Sequence, residues 1–161
     1  TEFVPLPFVH MEAPMWLRGR ARSGPTYGET LLVHAVARLA LHPALTNIQA
    51  SWVKLGPDGV AGALRAGVND LGGTLMNESI SRSAGSEHGQ ELPPEAMEAL
   101  IRANGRTPRQ RTTVYGDAPD DRRAASFGAA PLAEPLNPPV REAGLKPPRR
   151  LVRPGLLARA R

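Results

Sequence analysis

The feature that most constrains the fold is a regular alternation of short strand-like runs with helical segments. Runs of strand length occur at 3–9, 47–56, 67–75 and 109–116. Between them lie a helix behind the capping-box pair Thr26 and Glu29, a short helix that begins at Pro57, and a helix over the segment PPEAMEALIRANG. Such alternation is typical of parallel strands joined by right-handed crossovers and predicts an α/β fold with about four strands and three main helices.

The composition changes near Gly116. Residues 117–161 hold eight of the 17 prolines and, with nine Lys or Arg against five Asp or Glu, most of the net charge of +5. Such a segment buries too little apolar area to offset its ordering entropy. We therefore expect one domain over 1–116 and a Pro- and Arg-rich, mostly disordered tail over 117–161. The tail has no RNA-binding motif and no interleaved aromatic residues, so nucleic acid is not expected as a partner.

Several classes of protein are excluded or disfavoured by the sequence. The chain has no cysteine, which rules out disulfides, thiolate metal sites, cysteine-ligated iron–sulfur clusters and cysteine nucleophiles within it. It has no apolar run of membrane-spanning length and no signal-peptide pattern, so we expect a cytoplasmic protein without a membrane partner. Phosphate-loop, dinucleotide and nucleophile-elbow fingerprints are absent from the sequence. Because the chain starts at Thr1 inside a strand-like run, we expect it to be a piece of a longer protein.

The third strand-like run, GVNDLGGT, has an unusual interior. Glycine weakens a strand, so Gly72 and Gly73 indicate close approach by a ligand or another backbone, or a bulge that only the fold requires. Asp70, Gly72 and Thr74 share one face of this strand. We expect this face to look into the interior of the sheet or barrel, beside two polar residues of the second strand, Gln49 and Ser51. A polar layer held only by internal hydrogen bonds is the alternative.

A second group of candidates follows the carboxyl ends of the strands, where ligands of parallel α/β proteins bind. Its members are His10, Glu12, Lys54, Asn77 and Glu78. His10 and Glu12, two positions apart, have the spacing of a metal pair on a strand, but no third ligand is evident. A hydrogen bond to the structure or to a substrate is the favoured interpretation, and no metal site is predicted.

Three longer segments carry a family resemblance. They are FVPLPFVHMEAPMWLRGRAR, HAVARLALHPALTNIQASWVKLG and AGVNDLGGTLMNESISRSAGSEHGQELPPEAMEALIRANGRTPRQRTTVYG. Together they resemble the C-terminal part of the tyrosine-using half of FO synthases, which are radical S-adenosylmethionine enzymes of deazaflavin (factor 420) biosynthesis. The blocks NIQASWVKLG and NDLGGT also resemble relatives in the futalosine pathway of menaquinone synthesis. The element FVHMEAP favours the deazaflavin branch.

The resemblance implies part of a (β/α) radical-SAM barrel, in which S-adenosylmethionine on a 4Fe-4S cluster is cleaved to a 5′-deoxyadenosyl radical. The radical attacks tyrosine, and the resulting hydroxybenzyl unit is joined to 5-amino-6-ribitylaminouracil before a partner domain closes the deazaflavin ring. By position, one group of candidates would line the barrel near adenosylmethionine and substrate, namely Gln49, Ser51, Asp70, Gly72, Gly73 and Thr74. The other group would lie at the barrel mouth, namely His10, Glu12, Lys54, Asn77 and Glu78.

The chain departs from the family in one respect. The family's Cys-x-x-x-Cys-x-x-Cys loop, which holds the cluster, is absent from the sequence. We therefore expect no radical chemistry from this chain alone, and a need for an N-terminal barrel half that carries the cysteines. Two alternatives stay open: a radical-SAM relative that acts on an aminofutalosine-type compound, and a non-catalytic basic binding module.

Overall fold

The computed structural model describes residues 1–75, 78–89 and 91–131. These residues form six helices: α1 (Pro14–Leu17), α2 (Tyr27–Leu41), α3 (Trp52–Arg65), α4 (Ile80–Ser83), α5 (Pro94–Ala103) and α6 (Asp120–Phe127). Within these ranges, no helix combines the length and the apolar character that a membrane span requires.

Three extended segments lie side by side in the order in which they occur in the chain. Parallel bridges join neighbouring segments, Phe3 with Ile48 and Gln49 with Asp70. Backbone hydrogen bonds support both bridges, since Gln49 N donates to Phe3 O and Ala50 N donates to Asp70 O, each at 2.9 Å. The predicted parallel arrangement is therefore present for the first three segments, as isolated bridges rather than extended ladders.

The core lies on one side of the middle segment. Ile48 and Ala50 are fully buried and belong to a cluster with Ala37 of α2 and with Val60 and Ala63 of α3. Because successive side chains of an extended segment point to opposite faces, the residue between Ile48 and Ala50 faces away from this cluster. The helix-facing side of this segment is therefore apolar, and Gln49 lies on the opposite side.

Two of the three main helices begin and end as predicted. Thr26 forms a capping box at the start of α2, because its Oγ1 accepts from Glu29 N at 3.2 Å and its N donates to Glu29 Oε2 at 2.7 Å. Helix α5 follows Pro93 and ends before Asn104 and Gly105, where Gly105 has a φ of 70°. A left-handed glycine is a common helix terminator.

The second strand is shorter than predicted, because α3 begins at Trp52. Trp52 and Val53 are consecutive yet both buried, and Trp52 Nε1 donates to Gly73 O at 2.9 Å. Gly56, with φ 65° and ψ 176°, then interrupts the helix after one turn. The predicted strand over 47–56 is therefore wrong from Trp52 onward, whereas the predicted helix from Pro57 is confirmed as the longer part of α3.

The predicted fourth strand, 109–116, is also wrong. Arg111 and Asp117 form an antiparallel bridge, and Thr112 N donates to Gly116 O at 2.9 Å, so this segment is a tight turn. Tyr115 in the turn has a φ of 63°, which is uncommon for a residue with a side chain.

Helix α6 falls within the segment that was predicted to be mostly disordered. It spans Asp120–Phe127 and packs against α5. The tail is therefore helical over these eight residues. Residues 132–161 lie outside the described ranges, so the expectation of a mostly disordered tail stays a prediction.

Candidate functional site

The parallel direction of the segments divides the candidate residues between two edges of the sheet. We call the start of the segments, near Phe3 and Asn69, the amino edge, and the opposite side the carboxyl edge. The helices return the chain to the amino edge, where Arg65 at the end of α3 donates to Asn104 Oδ1 at 3.2 Å. The turn around Arg111 follows, and the Arg111 guanidinium contacts Glu2 and Asp70 near the start of the first and third segments. In α/β proteins of this kind, ligands bind at the carboxyl edge and the opposite edge serves stability.

Asp70 is held by other groups of the protein. It is only 7% exposed, and its carboxylate accepts hydrogen bonds from Arg111 Nε at 2.6 Å, Tyr115 OH at 2.6 Å and Gly72 N at 2.7 Å. The contact with Arg111 is an ion pair with little exposure on the aspartate side. Most of the hydrogen-bonding capacity of Asp70 is therefore used internally. This geometry matches the alternative interpretation, a polar layer held by internal hydrogen bonds.

The contacts of Asp70 extend into a polar network of five residues: Glu2, Gln49, Asp70, Arg111 and Tyr115. The Arg111 guanidinium also reaches Gln49 Oε1 at 3.4 Å and Glu2 Oε2 at 3.5 Å, and it lies 4.1 Å from the centre of the Tyr115 ring. The Tyr115 hydroxyl makes a further hydrogen bond to Glu2. Sequence reasoning missed Glu2, Arg111 and Tyr115, because their partners lie far away along the chain.

The polar network determines the protonation states of Arg111 and Tyr115. Burial opposes the charged form of Arg111, but the hydrogen bond and the charge of Asp70 outweigh it and raise the pKa of Arg111 above its usual value. Burial, together with the hydrogen bonds to Asp70 and Glu2, raises the pKa of Tyr115 well above its usual value. Arg111 therefore stays charged and Tyr115 stays a neutral donor at physiological pH.

A cleft of about 750 Å³ adjoins the polar network. Five of the six predicted interior residues line it, namely Gln49, Asp70, Gly72, Gly73 and Thr74. The sixth, Ser51, lies at the start of α3 instead, where its carbonyl accepts from Lys54 N and Leu55 N at 3.1 Å. The structure thus brings most of the predicted interior group together.

The two glycines of the third segment differ in what they do. Gly72 has a φ of 73°, and a Cβ at this position would lie 2.8 Å from Gln49 Nε2. The positive φ therefore favours glycine at 72, whereas the Gln49 amide is the flexible end of a side chain and can move. A Cβ at Gly73 would meet nothing closer than Leu75 N at 4.0 Å, so space for an approaching group remains on this side.

A second pocket, of about 350 Å³, lies at the carboxyl edge and contains two of the predicted mouth residues, His10 and Lys54. His88, which sequence reasoning left unassigned in a loop, also lines it. We call this the basic pocket. Lys54 Nζ donates to Ser81 Oγ at 3.0 Å, and Ser81 is itself 4% exposed. His10 Nδ1 accepts from Gly24 N at 3.0 Å.

Glu12 and Glu78 are not among the residues that line the basic pocket. The exposed Glu12 donates its backbone N–H to Ala84 O at 3.0 Å. Glu78 Oε1 accepts from Ser81 N at 2.9 Å, so Glu78 and Lys54 both contact Ser81. Asn77 lies outside the described residues. In the part of the chain that the structure describes, no group of three or more His, Cys, Asp or Glu is arranged to hold a metal ion.

Comparison with known proteins gives a consistent set of relatives. Residues 1–123 match the family model described as the CofH/MqnC C-terminal region. The chain is 52% identical over 139 residues to an FO synthase of Streptomyces avermitilis, covering 84% of this chain and 16% of the relative. It is 57% identical over 115 residues to a 5-amino-6-(D-ribitylamino)uracil–L-tyrosine 4-hydroxyphenyl transferase of Methanopyrus kandleri, covering 71% and 31%. The chain thus spans less than a third of either relative, and no solved structure matches it.

Proposed function

The chain belongs to the family of the CofH/MqnC C-terminal region, and we propose that it forms the C-terminal part of an FO synthase of deazaflavin biosynthesis. The observation that carries this proposal is the identity of 52–57% to FO synthases and to a tyrosine-using transferase. The name of that transferase gives 5-amino-6-(D-ribitylamino)uracil and L-tyrosine as its substrates. We propose the same two substrates for the enzyme to which this chain contributes.

In this proposal the parallel segments and their helices are part of a radical-SAM barrel over 1–116. The parallel order of the first three segments and the return of the chain through α3 and α5 support it. The remaining strands would come from an N-terminal barrel half, and a further domain would close the deazaflavin ring. The domain boundary at residue 116 stays a prediction, since the family match continues to residue 123.

The 4Fe-4S cluster does not fit the residues of this chain. Iron–sulfur clusters of this kind are held by cysteine thiolates, and the chain contains no cysteine. We therefore assign the cluster to the rest of the enzyme and propose that this chain alone is inactive. S-adenosylmethionine fits better, because the cleft keeps open space beside Gly73. We assign Gly73 and Thr74 as residues that would contact adenosylmethionine or substrate; adenosylmethionine would supply the radical.

A second candidate function is a futalosine-pathway enzyme, because the family description also names MqnC. The similar curated relatives, FO synthases and a hydroxyphenyl transferase, favour the deazaflavin branch. The two candidates differ in the substrate that receives the radical, so one assay separates them.

The test is a chimera in which the matching segment of the Streptomyces avermitilis FO synthase is replaced by residues of this chain. Under anaerobic conditions with adenosylmethionine, L-tyrosine and 5-amino-6-(D-ribitylamino)uracil, we expect the chimera to form FO. The same enzyme with the segment deleted, and this chain alone, should form none. A soluble chimera that carries its cluster but yields no FO would contradict the proposal, and turnover of an aminofutalosine-type compound instead would favour the second candidate.

A further inference from the structure

Lys54 is a half-buried cation that forms no ion pair in the part of the chain that the structure describes, although the carboxylate of Glu78 binds the same residue, Ser81. Lys54 Nζ donates one hydrogen bond, to Ser81 Oγ, although an ammonium group has three N–H donors. The ion pairs found among residues 1–75, 78–89 and 91–131 do not include Lys54. Its ammonium group therefore has N–H donors left for a further acceptor. Such a group is well suited to receive an anion from outside the chain.

Two histidines supply further donors to the same pocket. Because His10 Nδ1 accepts from Gly24 N, the ring proton of neutral His10 is on Nε2. The ring of His88 packs over Gly56, where a Cβ would lie 2.3 Å from His88 Cε1. Glycine at the interruption of α3 thus makes room for the imidazole. The acidic residue of the pocket lining, Glu87, is exposed.

Most of the remaining wall of the basic pocket is apolar, and Thr30 and Ser86 are its other polar residues. The apolar part is formed by Pro7, Phe8, Val9, Met11, Pro25 and Leu55, together with Tyr27. The volume of about 350 Å³ lies within the range of small-molecule sites, roughly 300–1,000 Å³. Basic groups beside apolar walls suit a ligand with one anionic group and an apolar or aromatic body.

We infer that the basic pocket binds the carboxylate of an aromatic amino acid, with Lys54 as the main anion-binding residue. His10 and His88 are further donors around the carboxylate, and the ring of the ligand packs against the wall formed by Phe8 and Leu55. The choice of tyrosine as the ligand rests on the proposed function. The carboxylate site itself rests only on the charges and contacts of the pocket.

Binding is tested by NMR on the full chain labelled with ¹⁵N. Three probes are titrated separately: L-tyrosine, tyramine, which lacks the carboxylate, and 3-(4-hydroxyphenyl)propionate, which lacks the amine. We expect tyrosine and the propionate to shift the resonances of Lys54, Ser86 and His88. Tyramine should bind at least about tenfold more weakly, because it makes no charge-assisted contact.

Variants distinguish a specific site from general electrostatic attraction. Lys54→Gln retains a group that can bond to Ser81 but loses the charge, and should weaken tyrosine binding at least about tenfold. Lys54→Arg should retain binding. Arg102→Gln, which removes an exposed charge on α5, should leave binding unchanged. Thermal unfolding checks that each variant folds.

The outcomes separate the pocket from the proposed function. Equal binding of tyrosine and tyramine, an unchanged affinity in Lys54→Gln, or no binding of either carboxylate to the folded chain would each overturn the inference. Binding of the propionate without tyrosine would leave the carboxylate site standing and remove tyrosine as its ligand. The chimera assay for FO formation is independent of all three results.

Discussion

Replacing Arg111 by methionine tests how much a buried ion pair stabilises this fold. The variant removes the guanidinium and leaves Asp70, 7% exposed, with hydrogen bonds from Tyr115 OH and Gly72 N but without a counter-charge. A matched control exists nearby, because Arg109 and Asp117 form an ion pair of the same length, 2.6 Å.

The two ion pairs differ in burial, and burial sets the expected magnitudes. The side chains are 25% and 5% exposed for Arg111 and Asp70, but 63% and 81% exposed for Arg109 and Asp117. Removing one partner of a buried pair costs about 3–5 kcal/mol. Because Arg111 is a quarter exposed and Asp70 keeps two other donors, we expect a loss of about 3 kcal/mol in the free energy of unfolding. Arg109→Met should cost less than about 1 kcal/mol.

The measurement is urea unfolding of the full chain, followed by far-ultraviolet circular dichroism. The double variant Arg111→Met with Asp70→Asn should lose less than the sum of the two single variants, because an amide does not need a counter-charge. Equal losses in Arg111→Met and Arg109→Met would refute the reasoning, since burial would then make no difference.

Two further predictions concern Tyr115 and Gly56. The pKa of Tyr115 is raised in the folded chain, so above about pH 10 the unfolded chain releases this proton and the folded chain keeps it; the free energy of unfolding therefore falls as the pH rises. Between about pH 8 and pH 11, the urea midpoint should fall more in the wild type than in Tyr115→Phe. An equal fall in both proteins would mean that Tyr115 titrates like an ordinary tyrosine. Gly56→Ala should cost at least about 1 kcal/mol more than Gly19→Ala in urea unfolding, because both glycines have a φ of 65° but only Gly56 lies under His88. Equal losses would mean that the His88 ring moves aside freely.

Local signals in the sequence predicted the bounds of α2 and α5. The capping box at Thr26 and the Asn104–Gly105 end of α5 depend on neighbours within four residues, and both were recognised. The end of the second strand was missed, because α3 begins at Trp52, whose Nε1 donates a hydrogen bond to a residue 21 positions away, Gly73. Alternation of apolar residues does not register such a contact.

The sequence predicted part of the candidate site, namely which residues share a face or an edge, but not the internal partners of Asp70. Side-chain alternation grouped Gln49 and Asp70 correctly on one face, and strand direction put His10 and Lys54 at the same edge. The partners of Asp70 were not predictable, because Arg111 lies 41 positions away in a run that has the pattern of a strand. The alternation that placed Asp70 in the interior fits a residue that faces a ligand and a residue held by an internal ion pair equally well. The pattern alone therefore did not distinguish these two roles.

The polar network also has a consequence for the kinetics of folding. Its hydrogen bonds join residues separated by 41 to 113 positions, so we expect them to form only after the local helices and the extended segments have come together. Contacts that are absent from the transition state act on the unfolding rate and leave the folding rate nearly unchanged. Asp70 and the groups that hold it then set the unfolding rate of the chain, and hence the lifetime of the folded state, rather than its folding rate.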